Sequence, residues 1–438
     1  MNNSKDRWES VCRYVIPGIF LIFAAANYAG GLSKLSGLGG DSLHTVARAL
    51  AGLHPDLYQS DFVFSDPKNY SFYLNANVIF LQGIELAGFK DIPLAYNAIN
   101  SIAIFVYLFG YYLLGCAVTG RPVLSAFFAG ACAIAVETLG GHYWGLYHEP
   151  QARLLFAAAL PYPMLLAIIG PLTLWRWVAV FVLLGGIAWL HPASGPLVAL
   201  AIMAGMIAMG LAEQPILQVL TRAFFAGLCF LAVFGPNLWI YANGTLMAHQ
   251  GAKIDSVYEL LPLLYSREFY DASVGIAGSL QRMFAGVRSL LIPLAAIGAF
   301  IIVRRGTSRD ATLLRFFCVF LAVIFMGSLG IPYVDQIIAH SLGKMPAQLD
   351  LIRSIRYIIP VMLLFVFWGA KWLTQNQWTS AVLGVLIFGY WFIAKDAPPS
   401  WPQNKNALRG FQCWSEGKPV CSRKSSPAIA ELLLSLIH

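Results

Sequence analysis

The sequence predicts an all-α polytopic membrane protein with about 11 transmembrane helices, and three observations carry that prediction. Of its 438 residues, 58% are hydrophobic and only 11% are charged, less than half the charged share of an ordinary soluble domain, about 25%. Apolar runs of about 20 residues, the length that crosses a bilayer, follow one another along the chain. The short connectors between alternate runs are basic, as cytoplasmic loops are. That pattern also accounts for the net charge of +8 without a nucleic-acid partner.

The first run, Val11 to Ala29, follows the charged stretch KDRWESVCR and reads as an uncleaved signal anchor, because no small-residue cleavage site follows it. Spans are expected at 11–31, 95–118, 122–139, 154–170, 173–190, 194–212, 221–241, 289–303, 313–333, 354–373 and 379–395. The connectors TGRP, PLTLWRW, AEQPILQVLTR, RRGTSRD and KWLTQNQW each carry Lys or Arg. They place the N-terminus in the cytoplasm and the C-terminus outside. The expected organisation is one membrane domain, 1–395, whose first extracytoplasmic loop is 32–94, and an extracytoplasmic tail, 396–438. Further long outside loops run from Ala242 to Arg288 and from Val334 to Arg353. Extramembrane mass is thus concentrated on one face, where the chemistry is expected. No sustained internal repeat is present, which weakens an inverted-repeat transporter reading.

Within the first outside loop, DSLHTVARALAG predicts a short helix with Asp41 as N-cap, Leu43, Val46, Ala47 and Leu50 on one face, and Gly52 as its stop. Residues 72–89, FYLNANVIFLQGIELAGF, predict a helix lying in the membrane interface. The alternative is a twelfth span, which would move every later loop to the other side. Cys12, Cys116, Cys132, Cys229 and Cys318 fall in or beside apolar runs and read as small hydrophobic filler. Cys413 and Cys421, in the polar tail, are expected to form a disulfide in an oxidising compartment.

Four constellations can carry chemistry. Asp41, Asp56, Asp61 and Asp66 lie in the first loop, where carboxylates can act as general bases or bind divalent cations. Asp56 in His-Pro-Asp and Asp66 before Pro67 read as turn residues; Asp41 and Asp61 admit either a structural or a catalytic role. ETLGGHYWGLYHEPQAR offers Glu137, His142, His148, Glu149 and Arg153, with no standard metal spacing. Interface anchoring by Tyr143, Trp144 and Tyr147 explains much of it equally well. In HPASG, His191 is a ligand, a proton carrier or an ordinary interfacial histidine. In LDLIRSIRYIIP, Arg353 and Arg356 share a helix face, and two guanidiniums suit a phosphate on a lipid carrier or the phosphates of bulk lipid. No GxxxxGK(S/T), strand-linked GxGxxG, HExxH or CxxC motif occurs, which argues against ATP-driven, dinucleotide-dependent and zinc-protease chemistry.

The uncleaved first span, the long loop with GDSLHTVARAL and LHPDLYQSDF, the WGLYHEPQAR turn, HPASG and LDLIRSIRYIIP occur in an order that resembles the GT-C superfamily of membrane glycosyltransferases. The resemblance covers most of residues 1–395, in order and topology, and excludes the tail. It implies a polyprenyl-phosphate- or pyrophosphate-linked sugar donor, a glycan, lipid or protein acceptor, and a site outside the cytoplasmic membrane of a bacterium. By the same resemblance Asp41 and Asp61 are the catalytic acids. Arg353, Arg356, Arg153 and His191 are then expected to bind the substrate's lipid phosphate. Asp41, Asp61, His142 and Glu149 are the candidates for holding a magnesium or manganese ion. Asp41 is followed by Ser42 where the family commonly has a second acid, so the base and the metal stay open. Alternatives are an O-antigen-type polymerase or ligase, a lipid or solute transporter, and a non-catalytic scaffold.

Overall fold

Helix is the obligatory conformation for these apolar segments, because lipid offers unpaired backbone groups no partner. The computed structural model describes residues 2–32, 41–61, 64–65, 74–89, 91–137, 143–146, 152–248, 289–341, 350–374 and 376–393, with 278, 280, 281 and 284 besides. They belong to one unit, Met1–Asp396. The tail, with Cys413 and Cys421, lies outside the described residues, as do His142, His148, Glu149 and Asp66.

The helices are α1 (Asn2–Leu32), α2 (Asp41–Leu53), α3 (Ala76–Leu86), α4 (Ile92–Thr119), α5 (Pro122–Ala133), α6 (Ala152–Ala159), α7 (Pro161–Ile168), α8 (Leu174–Ala188), α9 (Gly195–Gly210) and α10 (Ile216–Ala248). They continue with α11 (Leu291–Arg305), α12 (Ser308–Phe325), α13 (Ile331–Ser341), α14 (Ile358–Leu373) and α15 (Gln377–Ile393). Each expected span contains helix. Among the described residues, Leu94–Thr119, Ile216–Ile240, Ser308–Asp335 and Leu351–Leu373 are long and apolar enough to cross a membrane, and seven shorter apolar helices accompany them. The protein is therefore all-helical and suited to a membrane. On α10, Leu217, Leu220, Phe224, Leu228 and Leu231 form an outward apolar stripe that water would penalise and lipid would accept.

Several boundaries differ from expectation for identifiable reasons. The span expected at 122–139 stops as a helix at Ala133, and Val136–Glu137 pairs antiparallel with Tyr143–Trp144. The Cys132 carbonyl near that helix end accepts from Tyr107 Oη at 2.5 Å and Trp144 Nε1 at 3.0 Å. Gly145 has φ of 107°, and a Cβ there would lie 2.4 Å from the Ile134 carbonyl oxygen. The span expected at 154–170 is interrupted at Leu160, because Pro161, lacking an N–H, starts α7 instead. Between α12 and α13 the chain winds one π-helical turn, Met326–Gly330.

In the first loop, Asp41 is the first residue of α2 rather than its cap. Among the described side chains of α2, Thr45, Val46, Ala49 and Ala51 are buried. Gly52 lies inside the helix and is no stop; a Cβ there would meet Gln82 Nε2 at 2.5 Å, displacing an amide that donates to the Ala49 carbonyl. Helix α3 has 11 residues, capped by the Asn75 side chain.

Central α4 packs against α1, α5, α6 and α7; α8 pairs with α10, α9 with α12, α5 with α15, and α11 with α14. The basic connectors meet in groups. Arg121 binds Thr374 and Ser380, Arg305 donates to the Trp372 carbonyl, and Arg222 joins Gln214 to the Leu172 carbonyl. The α11–α14 pair brings backbone against backbone. A Cβ on Gly298 would lie 2.3 Å from the Phe365 carbonyl oxygen, and one on Gly369 would lie 2.6 Å from Gly298 Cα. We expect Gly298→Val to destabilise the protein by about 2 kcal/mol, because backbone cannot yield as a side chain would. Gly186→Ala, which meets nothing within 4 Å, should be neutral or slightly stabilising. Thermal unfolding in detergent separates the two.

Candidate functional site

Before α14 the chain forms a 3₁₀ helix, Asp350–Tyr357. With three residues per turn, side chains at i and i+3 eclipse, so Arg353 and Arg356 project from one line. Eight residues is long for this conformation, which is uncommon beyond 3–4. Pro360 offers the carbonyl of residue 356 no N–H, so α-helical bonding begins later. Tertiary contacts hold the segment. Ile352, Ile355 and Tyr357 are buried, the largely buried Arg356 donates from Nε to the Arg353 carbonyl at 2.5 Å, and Ser354 donates to Ser194 Oγ at 3.1 Å.

Ser194 closes the HPASG turn between α8 and α9. Its N–H and that of Gly195 both reach the His191 carbonyl, at 3.2 and 3.1 Å. The Ser194 N–H also lies 3.2 Å from His191 Nδ1. Only glycine fits at 195, where a Cβ would lie 2.5 Å from that of Ala188. Arg153 and Phe156 share a face of α6, being three residues apart. Phe156 lies against both the His191 ring, at 6.3 Å, and the Tyr357 ring, at 5.4 Å. Beneath them Trp144 packs on Tyr357, Tyr107 and Tyr111.

His191 is buried, and its proton affinity is pressed well below the ordinary imidazole value, first by burial and then by the charges of Arg356, Arg153 and Arg353. The four residues expected to bind a phosphate thus converge from α6, the α8–α9 turn and the 3₁₀ helix. The charges of three guanidiniums, groups that donate in a planar fork and accept nothing, thus act on a neutral imidazole.

The expected acids are arranged differently. Asp61 is exposed, and its Oδ1 accepts from the Phe64 N–H at 2.8 Å, so it closes a turn as well as offering a carboxylate. It and Glu85 raise the proton affinity of Tyr58, after burial, and Glu85 pairs with His54 at 2.6 Å. Asp56 is exposed in the 3₁₀ turn Pro55–Tyr58, as expected of a turn residue. Asp41 is placed only as the start of α2, and Glu137 only as backbone of the two-residue pairing. Among the described residues no three His, Cys, Asp or Glu side chains group to hold a metal. Of the four candidate metal ligands only the Asp61 side chain is described.

Sequence reasoning missed Ser194, Ser354, Phe156 and Tyr357. Their roles arise from contacts over long separations, and no local motif marks them. No family model, curated protein or solved structure matches the chain.

A group whose folded proton affinity is depressed leaves the unfolded chain binding more protons below its ordinary pKa. His191 should therefore favour folding fully above about pH 6.5 and lose that contribution as pH falls below it. Unfolding midpoints for wild type and His191→Gln, measured at about pH 7.5 and 5.5, should show the smaller acid loss in the variant. Ser354→Ala should cost about 1 kcal/mol, by removing one buried hydrogen bond.

Proposed function

We propose that this protein is a GT-C-like glycosyltransferase that uses a polyprenyl-phosphate- or pyrophosphate-linked sugar outside the cytoplasmic membrane of a bacterium. The observation that carries the reading is that buried His191, in the α8–α9 turn tied to the 3₁₀ helix by the Ser354–Ser194 hydrogen bond, feels the charges of Arg353 and Arg356 on that helix and of Arg153 on α6. In the proposed topology the chain crosses about 11 times from a cytoplasmic N-terminus, with the tail outside. Clustering of the basic connectors through Arg121 and Arg305 supports this, because it gathers the retention signals away from the site arginines.

The proposed reaction is a displacement at the anomeric carbon. The guanidiniums hold the donor phosphate at the membrane surface through paired hydrogen bonds. A carboxylate, Asp41 or Asp61, takes the proton of an acceptor hydroxyl as its oxygen attacks from the face opposite the phosphate. The new C–O bond forms as the bond to phosphate breaks, and the polyprenyl phosphate leaves with the electron pair, so configuration inverts. The arginines stabilise the charge that develops on that leaving group. The acceptor is a glycan, a lipid or a protein.

A specific observation also favours a second reading, an O-antigen-type polymerase or ligase: the assembled centre is built of arginines, while Asp61 is exposed in a turn. Reconstituted protein with a polyprenyl-linked sugar separates them. For the first reading, Asp41→Asn or Asp61→Asn abolishes transfer with the fold intact, and Arg356→Ala weakens donor binding. Full activity in both aspartate variants, with loss in Arg353→Ala and Arg356→Ala, would instead establish the second.

A further inference from the structure

At the end of α14 the acceptors are taken and donors are left over. The carbonyls of Ala370 and Lys371 accept from Thr374 Oγ1, at 3.0 and 3.3 Å. The Trp372 carbonyl accepts from Arg305 Nη1 and the Thr374 carbonyl from Arg121 Nη2, both at 2.9 Å. The Asp310 carboxylate is occupied as well. Its Oδ2 accepts from the Thr307 N–H and Oγ1, each at 2.7 Å, and its Oδ1 from Trp368 Nε1 at 3.1 Å.

The donors beside them are not matched. Trp372 Nε1 is buried and has no hydrogen-bond partner among the described residues. Lys371 Nζ lies 4.8 Å from the centre of that indole ring and 4.0 Å from Asp310 Oδ1, beyond hydrogen-bond range. Arg305 is exposed beyond its one bond to the Trp372 carbonyl, and Arg309, next to Asp310, is exposed too. Open carbonyls at a helix C-terminus would repel an anion. Here they are covered by cations and a hydroxyl, and what faces outward is donors.

The same place is where an apolar face of α11 ends. Ile297, Phe300 and Val303 are each more than half exposed and follow one another at helical spacing. Arg304 comes next, its guanidinium 5.7 Å over the Phe300 ring, with its stem along apolar surface as an interfacial arginine holds it. Because α11 and α14 meet backbone to backbone at Gly298 and Gly369, the apolar face and the donor cluster belong to one helix pair.

We propose that this end of the α11–α14 pair binds the headgroup of an anionic phospholipid. Its phosphate accepts from Trp372 Nε1 and pairs with Lys371, Arg305 and Arg309, and its acyl chains lie along Ile297, Phe300 and Val303. A free anion would use the donors and leave the apolar face without an occupant. A zwitterionic lipid would bring an ammonium in among the cations. In the proposed topology this is the cytoplasmic leaflet, and the inference rests on membrane embedding, not on the sugar-transfer reaction.

The test adds lipid to full-length protein in detergent and follows bound lipid by native mass spectrometry. The probes are dioleoylphosphatidylglycerol, dioleoylphosphatidylcholine and glycerophosphoglycerol, the free headgroup of the first. We expect phosphatidylglycerol to bind about tenfold tighter than either of the others. Trp372→Phe keeps the ring beside Lys371 and removes only the N–H, so it should weaken phosphatidylglycerol about fivefold and leave phosphatidylcholine unchanged. Arg309→Gln, at an exposed position, should also cost about fivefold. Equal affinity of the wild type for the two lipids would overturn the inference, and that measurement needs no variant to fold. Glycerophosphoglycerol binding as tightly as phosphatidylglycerol overturns it by making the ligand a free anion. Phosphatidylglycerol binding unchanged in both variants overturns it by placing the contacts elsewhere.

Discussion

Lipid gives the backbone nothing to bond to, so every departure from helix must find its partners inside the protein. That constraint explains where this chain bends. When α5 stops at Ala133, the Cys132 carbonyl is taken by Tyr107 and Trp144. The turn between α8 and α9 answers its own N–H groups with the His191 carbonyl and ring nitrogen. The 3₁₀ helix before α14 is held by a serine pair and by Arg356 reaching its own backbone. Such interruptions are tolerated where side chains are available to complete the bonding, and here they gather around one place.

The interruptions position the charges. An α-helix at 350–357 would set Arg353 and Arg356 about 60° apart, whereas three residues per turn sets them in line. The break at Ala133 brings Trp144 under Tyr357, and Tyr357 carries Phe156, which lies against His191. Arginines in a low-dielectric setting repel one another strongly. Aromatic packing and a buried hydroxyl bond hold the segments that carry them.

Much of the fold was legible because its cause is local. Each expected span contains helix, since apolar length alone requires it. The errors lie where tertiary partners override that signal. Gly52 looked like a helix stop, yet its missing side chain makes room for Gln82. Residues 134–137 looked like part of a span, yet Trp144 and Gly145 draw the chain out of helix there. The site was half legible: Arg153, His191, Arg353 and Arg356 stand out as charge beside apolar runs. Ser194, Ser354 and Phe156 do not, because a serine or phenylalanine in such a chain has many ordinary uses. The acids of the first loop stood out for the same reason as the arginines, and Asp61 shows that one carboxylate can also close a turn.

The π-helical turn at Met326–Gly330 packs directly against the 3₁₀ helix, with Gly327 tight on Leu197 and Ser328 buried. A π turn holds about one residue more than an α turn. It therefore acts as a phase shifter within a single long rod, re-aiming everything downstream without breaking the rod. Deleting one residue from 326–330 would restore ordinary winding and turn α13 by about 100° about its axis. Changes in the length of this helix, more than substitutions along it, would thus present α13 at a new angle.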